Sequence, residues 1–284
     1  MSAEVTLERR RFSAMGSTVE IITVGGRRSG VIDAAVARVH DLERRWSRFV
    51  ESSEVSALNR LAGATVRLSD DTLLLVELAR RAWHETGGRF DPTVLRAVEA
   101  AGYTDSFDRL GSTVSRPPAD ERAIGACHAI EVDRRAGSVR LPSGGGFDPG
   151  GIGKGLAADL VSHELSTGGV DGGCVNLGGD LRVWGVGPRD GGWRVGLGAR
   201  TIELTDVGVA TSGTRRRTWQ VDGEAVHHLI DPTTSRPSTS GPDTITVIAG
   251  SAWRAETSAT ALSATAGDDV AALAERWGVR AILR

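Results

Sequence analysis

The stretch SGGGFDPGGIGKGLAADLV, from Ser143 to Val161, constrains this chain most: a glycine-dense loop runs into a helix that begins near Lys154. Glycines permit positive φ and leave room for a ligand beside the main chain. The N-terminus of the helix that follows offers unpaired N–H groups and a partial positive charge, so phosphate is the ligand such a backbone suits. Neither common phosphate motif fits it in full. A P-loop needs Gly, four residues, then Gly-Lys-Ser/Thr; Gly153-Lys154 agrees, but Asp148 and Gly155 stand at the two ends. The dinucleotide pattern G-x-G-x-x-G/A is met by Gly153, Gly155 and Ala158. It also requires a buried strand ahead of the first glycine, where this chain has Pro149 and further glycines.

The phosphate site has to be local, because the formal charge of −2 exerts no general pull on nucleic acid. With 284 residues, 40% of them apolar and 25% charged, the chain has enough material for a sizeable core, and a single domain over residues 1–284 is expected. Cys127 and Cys174 lack metal-ligand spacing and are too few for a disulfide framework, so both are expected to fill core. MSAEVTLERRRF has no apolar signal core and no 18-residue apolar run follows, so a cytoplasmic protein is expected.

Two strands are expected between Val5 and Val24, turning at Gly16. An amphipathic helix then starts at about Ser29, with Val31, Ala35, Val39, Leu42, Trp46 and Phe49 on one stripe. A short helix runs from Ser53 to about Asn59, a strand from Thr65 to Leu68, and a helix capped by Ser69 extends to Gly87-Gly88. Pro92 biases Asp91 towards an extended backbone, and helix capping by Asp91 is an equal reading of that position. Ser115 to Asp120 reads as a short loop, and Ala129–Asp133 with Ser138–Leu141 as a hairpin. Downstream, strands are expected near Val175 and over Leu181–Val186, Trp193–Leu197, Ile202–Leu204, Val207–Ala210 and Thr244–Ala249. Trp219–Val221 and Ala225–Ile230 flank an Asp222-Gly223 turn; helices Ala252–Ala264 and Asp268–Trp277 and a strand Val279–Leu283 follow. Strands in runs, without strict βαβ alternation, predict an α+β fold with a large mixed, mostly antiparallel sheet and flanking helices.

FDPGGIGKGLAAD does not stand alone. HHLIDPTTSRP (His227 to Pro237), AETSATAL (Ala255 to Leu262), MGS (Met15 to Ser17), SEVSALN (Ser53 to Asn59), GGRFDPTV (Gly87 to Val94), NLGGD (Asn176 to Asp180) and ATSG (Ala210 to Gly213) accompany it in order. Together they resemble the signature segments of the ApbE family, FAD:protein FMN transferases that attach FMN covalently to protein threonine or serine. The resemblance implies transfer of FMN from FAD to a Thr or Ser hydroxyl of an acceptor protein, with release of AMP. Two alternatives share its site, hydrolysis of FAD to FMN and AMP, and flavin binding without turnover.

The resemblance places Asp148 and Lys154 on FAD and draws the flavin pocket from the positions of Met15, Phe49, Arg89, Phe90, Asp91 and Ile230. Lys154 is a reasonable point charge for phosphate and is assigned a catalytic part. Glu256 and Thr260 are four apart and project from one helix face. A carboxylate, a hydroxyl and a loop carbonyl make a hard site for magnesium, and the resemblance supplies the carbonyl from Gly151. It also makes two departures visible: Glu256 stands where aspartate is usual, and Ser235 where glycine is usual. In H-x-x-D-P, His228 is the only histidine placed in a family motif; as a neutral imidazole it can accept a proton near pH 7 and is the proposed base. His227, His40, His84, His128 and His163 are expected at the surface or in structural parts.

Overall fold

The computed structural model describes residues 6–26, 30–107, 109–110, 113–114, 125–189, 191–198, 200–214, 217–265 and 267–283. Its frame is a seven-stranded sheet whose spatial order is also its chain order: Leu7–Ala14, Ser17–Val24, Gly172–Leu177, Asp180–Gly185, Val207–Gly213, Thr244–Ala249 and Arg280–Leu283. All neighbours are antiparallel. This is the expected α+β arrangement. Parallel pairing among the described residues is confined to a small sheet, where Gln220 and Val221 pair with Thr113 and Val114.

Among the described residues seven α-helices accompany the strands: α1 (Val31–Trp46), α2 (Glu54–Arg60), α3 (Asp70–Glu85), α4 (Leu95–Ala100), α5 (Gly153–Thr167), α6 (Ala252–Ser263) and α7 (Gly267–Arg276). Strand periodicity divides the apolar residues between two faces of the sheet. Val19, Ile21, Ala210, Ile245 and Val247 join the main core with α1, α5 and α6. Their neighbours Val24, Val183, Val209 and Ile248 face the other way, where a hairpin of Trp193–Leu197 and Arg200–Leu204 covers them. Trp193 Nε1 fastens that hairpin by donating to the Trp184 carbonyl at 3.0 Å. A third cluster lies apart, with Val98, Tyr103, Trp219, Val221 and Ile230 at its centre.

Several local expectations shift. Ser29, Val5 and the 115–120 loop lie outside the described residues; α1 has Gly30 at its N-cap, with φ 85°. Phe49 is not on α1, because the helix ends at Trp46 and Ser47 turns extended. Ser53 caps α2 as expected, its hydroxyl accepting from Ser56 N at 2.9 Å. Ser69 stands at the α3 N-cap, but its hydroxyl donates to Glu54 Oε2 at 2.7 Å and does not cap the helix. The Ala225–Ile230 strand breaks into Glu224–His227 and Ile230–Asp231. His227 causes the break, since its ring lies 2.9 Å from the Ser238 carbonyl and accepts from Leu229 N at 3.3 Å. Ser235 keeps a left-handed backbone, φ 58°, that glycine would adopt without steric cost.

A close approach that matters for the site is that of α5 to the start of α6. A Cβ on Gly155 would lie 2.4 Å from the Ala252 carbonyl oxygen. Gly155→Ala is therefore expected to cost about 2–3 kcal/mol through overpacking, measured as the shift of a urea unfolding midpoint.

Candidate active site

Lys154 leaves the first turn of α5 and Glu256 the second turn of α6, so the Gly155 contact brings them face to face. The Lys154 ammonium donates to Glu256 Oε1 at 2.6 Å and also to Asp180 Oδ2. Glu256 Oε2 accepts from Gly155 N at 2.7 Å, and Asp180 Oδ1 from Thr211 N at 3.3 Å. Asp180 reaches this point because Gly178 and Gly179 form a turn, with Asn176 Oδ1 accepting from Gly179 N at 2.8 Å. Burial alone would lower the Lys154 pKa, but the two carboxylates outweigh it and hold the group charged, well above its usual range. Burial and the Asp180 charge raise Glu256, against the pull of Lys154.

The glycine loop is clamped from α2. Asn59 Oδ1 accepts from Phe147 N at 2.7 Å, and Asn59 Nδ2 donates to Phe147 O at 2.9 Å. Asp148 folds over the loop, accepting from Gly150 N at 2.8 Å, with Arg48 Nε 3.7 Å away. A Cβ on Gly151 would lie 3.0 Å from both the Thr260 hydroxyl and the Phe90 ring, so the loop meets α6 this closely only as glycine. Thr260 Oγ1 makes no hydrogen bond to another described residue, and no group of three His, Cys, Asp or Glu able to hold a metal occurs among them. The oxygen donors at Gly151, Thr260 and Glu256 fit a hard cation that draws its remaining ligands from water and phosphate.

The other end is aromatic. Phe49 and Tyr103 meet edge to face with centroids 5.7 Å apart, and Tyr103 stacks on Trp219 at 5.3 Å. The Arg48 guanidinium lies 4.2 Å from the Phe49 centroid and 4.7 Å from that of Tyr103. Met15 sits in the two-residue turn between the first strands, with φ 51° followed by 60° at Gly16, the type I′ geometry that matches strand twist. Its amide donates to Glu43 Oε1 at 2.5 Å.

One cavity of about 910 Å³ joins the two ends, at the upper part of the range for small-molecule sites. Its lining includes every residue singled out in the sequence: Met15, Phe49, Arg89, Phe90, Asp91, Asp148, Gly151, Lys154, His228, Ile230, Glu256 and Thr260. They are not equally available. Asp91 Oδ1 accepts from Thr93 N at 2.7 Å and from the Thr93 hydroxyl at 2.5 Å, a local turn and not a helix cap, since α4 has Val94 at its N-cap, and burial raises its pKa. Arg89 is exposed. Among the lining residues without a role in the sequence reading are Asp180, Arg48 and the single tyrosine, Tyr103. Asp180 carried a signal, as the acid that ends the Gly178-Gly179 turn.

The chain is matched over residues 15–283 by the model of the ApbE family. It belongs to that family. Its relatives include an FAD:protein FMN transferase of Treponema pallidum, 28% identical and aligned over 87% of this chain and 75% of the relative. One from Vibrio cholerae is 30% identical over 86% of this chain and 75% of its own. The crystal structure of the ApbE protein of Thermotoga maritima superposes with a TM-score of 0.86 at 27% identity, covering 98% and 94% of the two chains. The apo flavinyl transferase ApbE of Pseudomonas stutzeri does so with 0.85 at 26% identity, covering 100% and 93%. No helix among the described residues is long and apolar enough to cross a membrane.

His228 is poorly solvated and its Nδ1 has no hydrogen-bond partner. Burial, and then the charge of Arg217, push its pKa down to about 3. The unfolded chain takes a proton on this residue as pH falls below its ordinary value of 6.5, whereas the folded chain takes it only near 3. Stability from this group is thus complete above pH 6.5 and lost on acidification, by up to about 1.4 kcal/mol per pH unit. His228→Gln is expected to flatten the stability curve between pH 6 and 4, measured by urea unfolding at each pH.

Proposed function

We propose that this chain transfers the FMN half of FAD to a Thr or Ser hydroxyl of an acceptor protein and releases AMP. The observation that carries the reading is a single cavity with an aromatic end at Phe49 and Tyr103 and a charged end at Lys154, Asp180 and Glu256. A flavin ring and a pyrophosphate, joined in one molecule, need such a pair of environments at opposite ends. The names of the relatives from Treponema and Vibrio point the same way.

In this reading Phe49, Ile230 and Met15 pack the ring system, while Phe90, Arg89 and Asp91 complete its wall. The glycine loop and Asp148 approach the phosphates through backbone that carries little side chain. Lys154 offsets charge on the phosphoryl group being transferred; positioning and electrostatics carry most of the catalysis of such reactions. Oxygen of the acceptor hydroxyl bonds to the FMN phosphorus, the bond from that phosphorus to the bridging oxygen breaks, and AMP leaves with that oxygen. The hydroxyl proton passes to His228, neutral at pH 7 and therefore able to receive it. A magnesium ion held by Gly151, Glu256 and Thr260 would supply further charge stabilisation at the pyrophosphate. That ion, the Thr or Ser identity of the acceptor, a cytoplasmic setting and the action of the whole chain as one domain are parts of the proposal.

Purified protein incubated with FAD and magnesium should release AMP in proportion to flavin bound covalently to an added acceptor. Equal AMP release without acceptor would mark a hydrolase, and tight FAD binding without AMP a carrier. His228→Ala should bind FAD within about threefold of the parent, yet turn it over about 10²-fold more slowly or worse, since a general base acts only as the nucleophile attacks.

A further inference from the structure

The charged end of the cavity already contains a cation. Lys154 Nζ lies between Glu256 and Asp180, and these three groups sum to a charge of −1. Asp180 and Glu256 are 5% and 3% exposed, so each carboxylate relies mainly on its protein partners. Glu256 is held asymmetrically: Oε2 is fixed by the Gly155 amide of the backbone, while Oε1 is held by the end of the Lys154 side chain. Gly151 and Thr260, the other two oxygen donors, belong to the same cavity wall. A divalent ion placed among Gly151, Thr260 and Glu256 therefore meets an ammonium already bound to the one carboxylate it needs.

We propose that Lys154 is the built-in counter-ion of Glu256, that a divalent cation binds by displacing it, and that Asp180 is the positioning residue that retains the displaced ammonium. The inference rests on the magnesium site of the proposed function. Its physical basis is charge bookkeeping at a buried place. Without the ion, two buried carboxylates and one ammonium are tolerable, whereas two unpaired carboxylates would be costly. With the ion on Glu256 and Lys154 on Asp180 alone, the same groups sum to +1. The charged end then changes sign, from repelling a pyrophosphate to attracting it. Divalent ion and FAD are thus coupled: each binds more tightly once the other is present. Asp180 gives Lys154 a partner in both states, so the exchange never leaves the ammonium buried alone.

The test is a manganese titration of the FAD-free protein by calorimetry and by the loss of free Mn²⁺ signal in electron paramagnetic resonance, neither of which needs turnover. Lys154→Met should tighten Mn²⁺ binding at least tenfold, because no ammonium competes for Glu256. Asp180→Asn should weaken it in the parent background by more than in the Lys154→Met background, since the loss in the parent includes the stranded ammonium. If Lys154→Met fails to fold, Lys154→Gln makes the same comparison with a hydrogen-bond donor that lacks the charge. Unchanged or weaker Mn²⁺ binding on loss of Lys154, with the parent still binding the ion, overturns the exchange and leaves the transferase reading intact. No Mn²⁺ binding by the parent or any variant overturns the metal site of that reading, and this inference with it.

Discussion

Asp159 holds the active-site end of the molecule together. This α5 carboxylate accepts from the backbone amides of Ala252 and Trp253, each at 2.9 Å, and so caps α6 from another helix. Ser251, at the N-cap position itself, makes no such bond. A helix N-terminus carries orphan donors and about half a positive charge, and a buried carboxylate satisfies both. Burial still raises the Asp159 pKa to about 6 against the two amides, so the cap resists removal from water only because its partners are well placed. Glycines at 155 and 208 admit the first turn of α6, since a Cβ on Gly208 would lie 2.2 Å from Ala252 N. Once that turn is seated, the position of Glu256 relative to Lys154 follows from helix geometry.

The aromatic end depends on different forces. Phe49, Tyr103 and Trp219 belong to the third apolar cluster, apart from the core under the sheet. Arg48 connects this cluster to the glycine loop: it donates to the Tyr103 carbonyl at 2.9 Å, covers two ring faces and stands 3.7 Å from Asp148. Its planar group can do all of this at once, which the point charge of a lysine could not. Ring recognition and phosphate chemistry are therefore built on separate supports that meet at Asp148.

The sheet was legible because period-2 patterns with turn residues between them are local signals, and the Met15-Gly16 and Asp222-Gly223 turns mark register directly. The extent of α1 was less so: Phe49 continues the helical stripe in sequence, yet the backbone leaves the helix at Ser47 and aims the ring at Tyr103. Ser69 illustrates a second limit, because a hydroxyl chooses between its own helix and Glu54 by tertiary distance. The site residues came from the family resemblance, and the structure gathers them around one cavity. Their partners were hidden. Nothing local to Lys154 states that Asp180, 26 positions on, and Glu256, 102 positions on, converge upon it.

That convergence also bears on His228. Its pKa is low first because it is buried, and further because Arg217 and Lys154 bring positive charge near it. A base with so low a pKa accepts a proton reluctantly, and a bound anion changes that. A pyrophosphate between Lys154 and His228 would cancel the field of these cations and favour the imidazolium, since an opposite charge nearby raises a histidine's pKa. Brønsted behaviour makes a base most effective when its pKa approaches the working pH. The substrate's own charge thus moves His228 towards the range in which it can act.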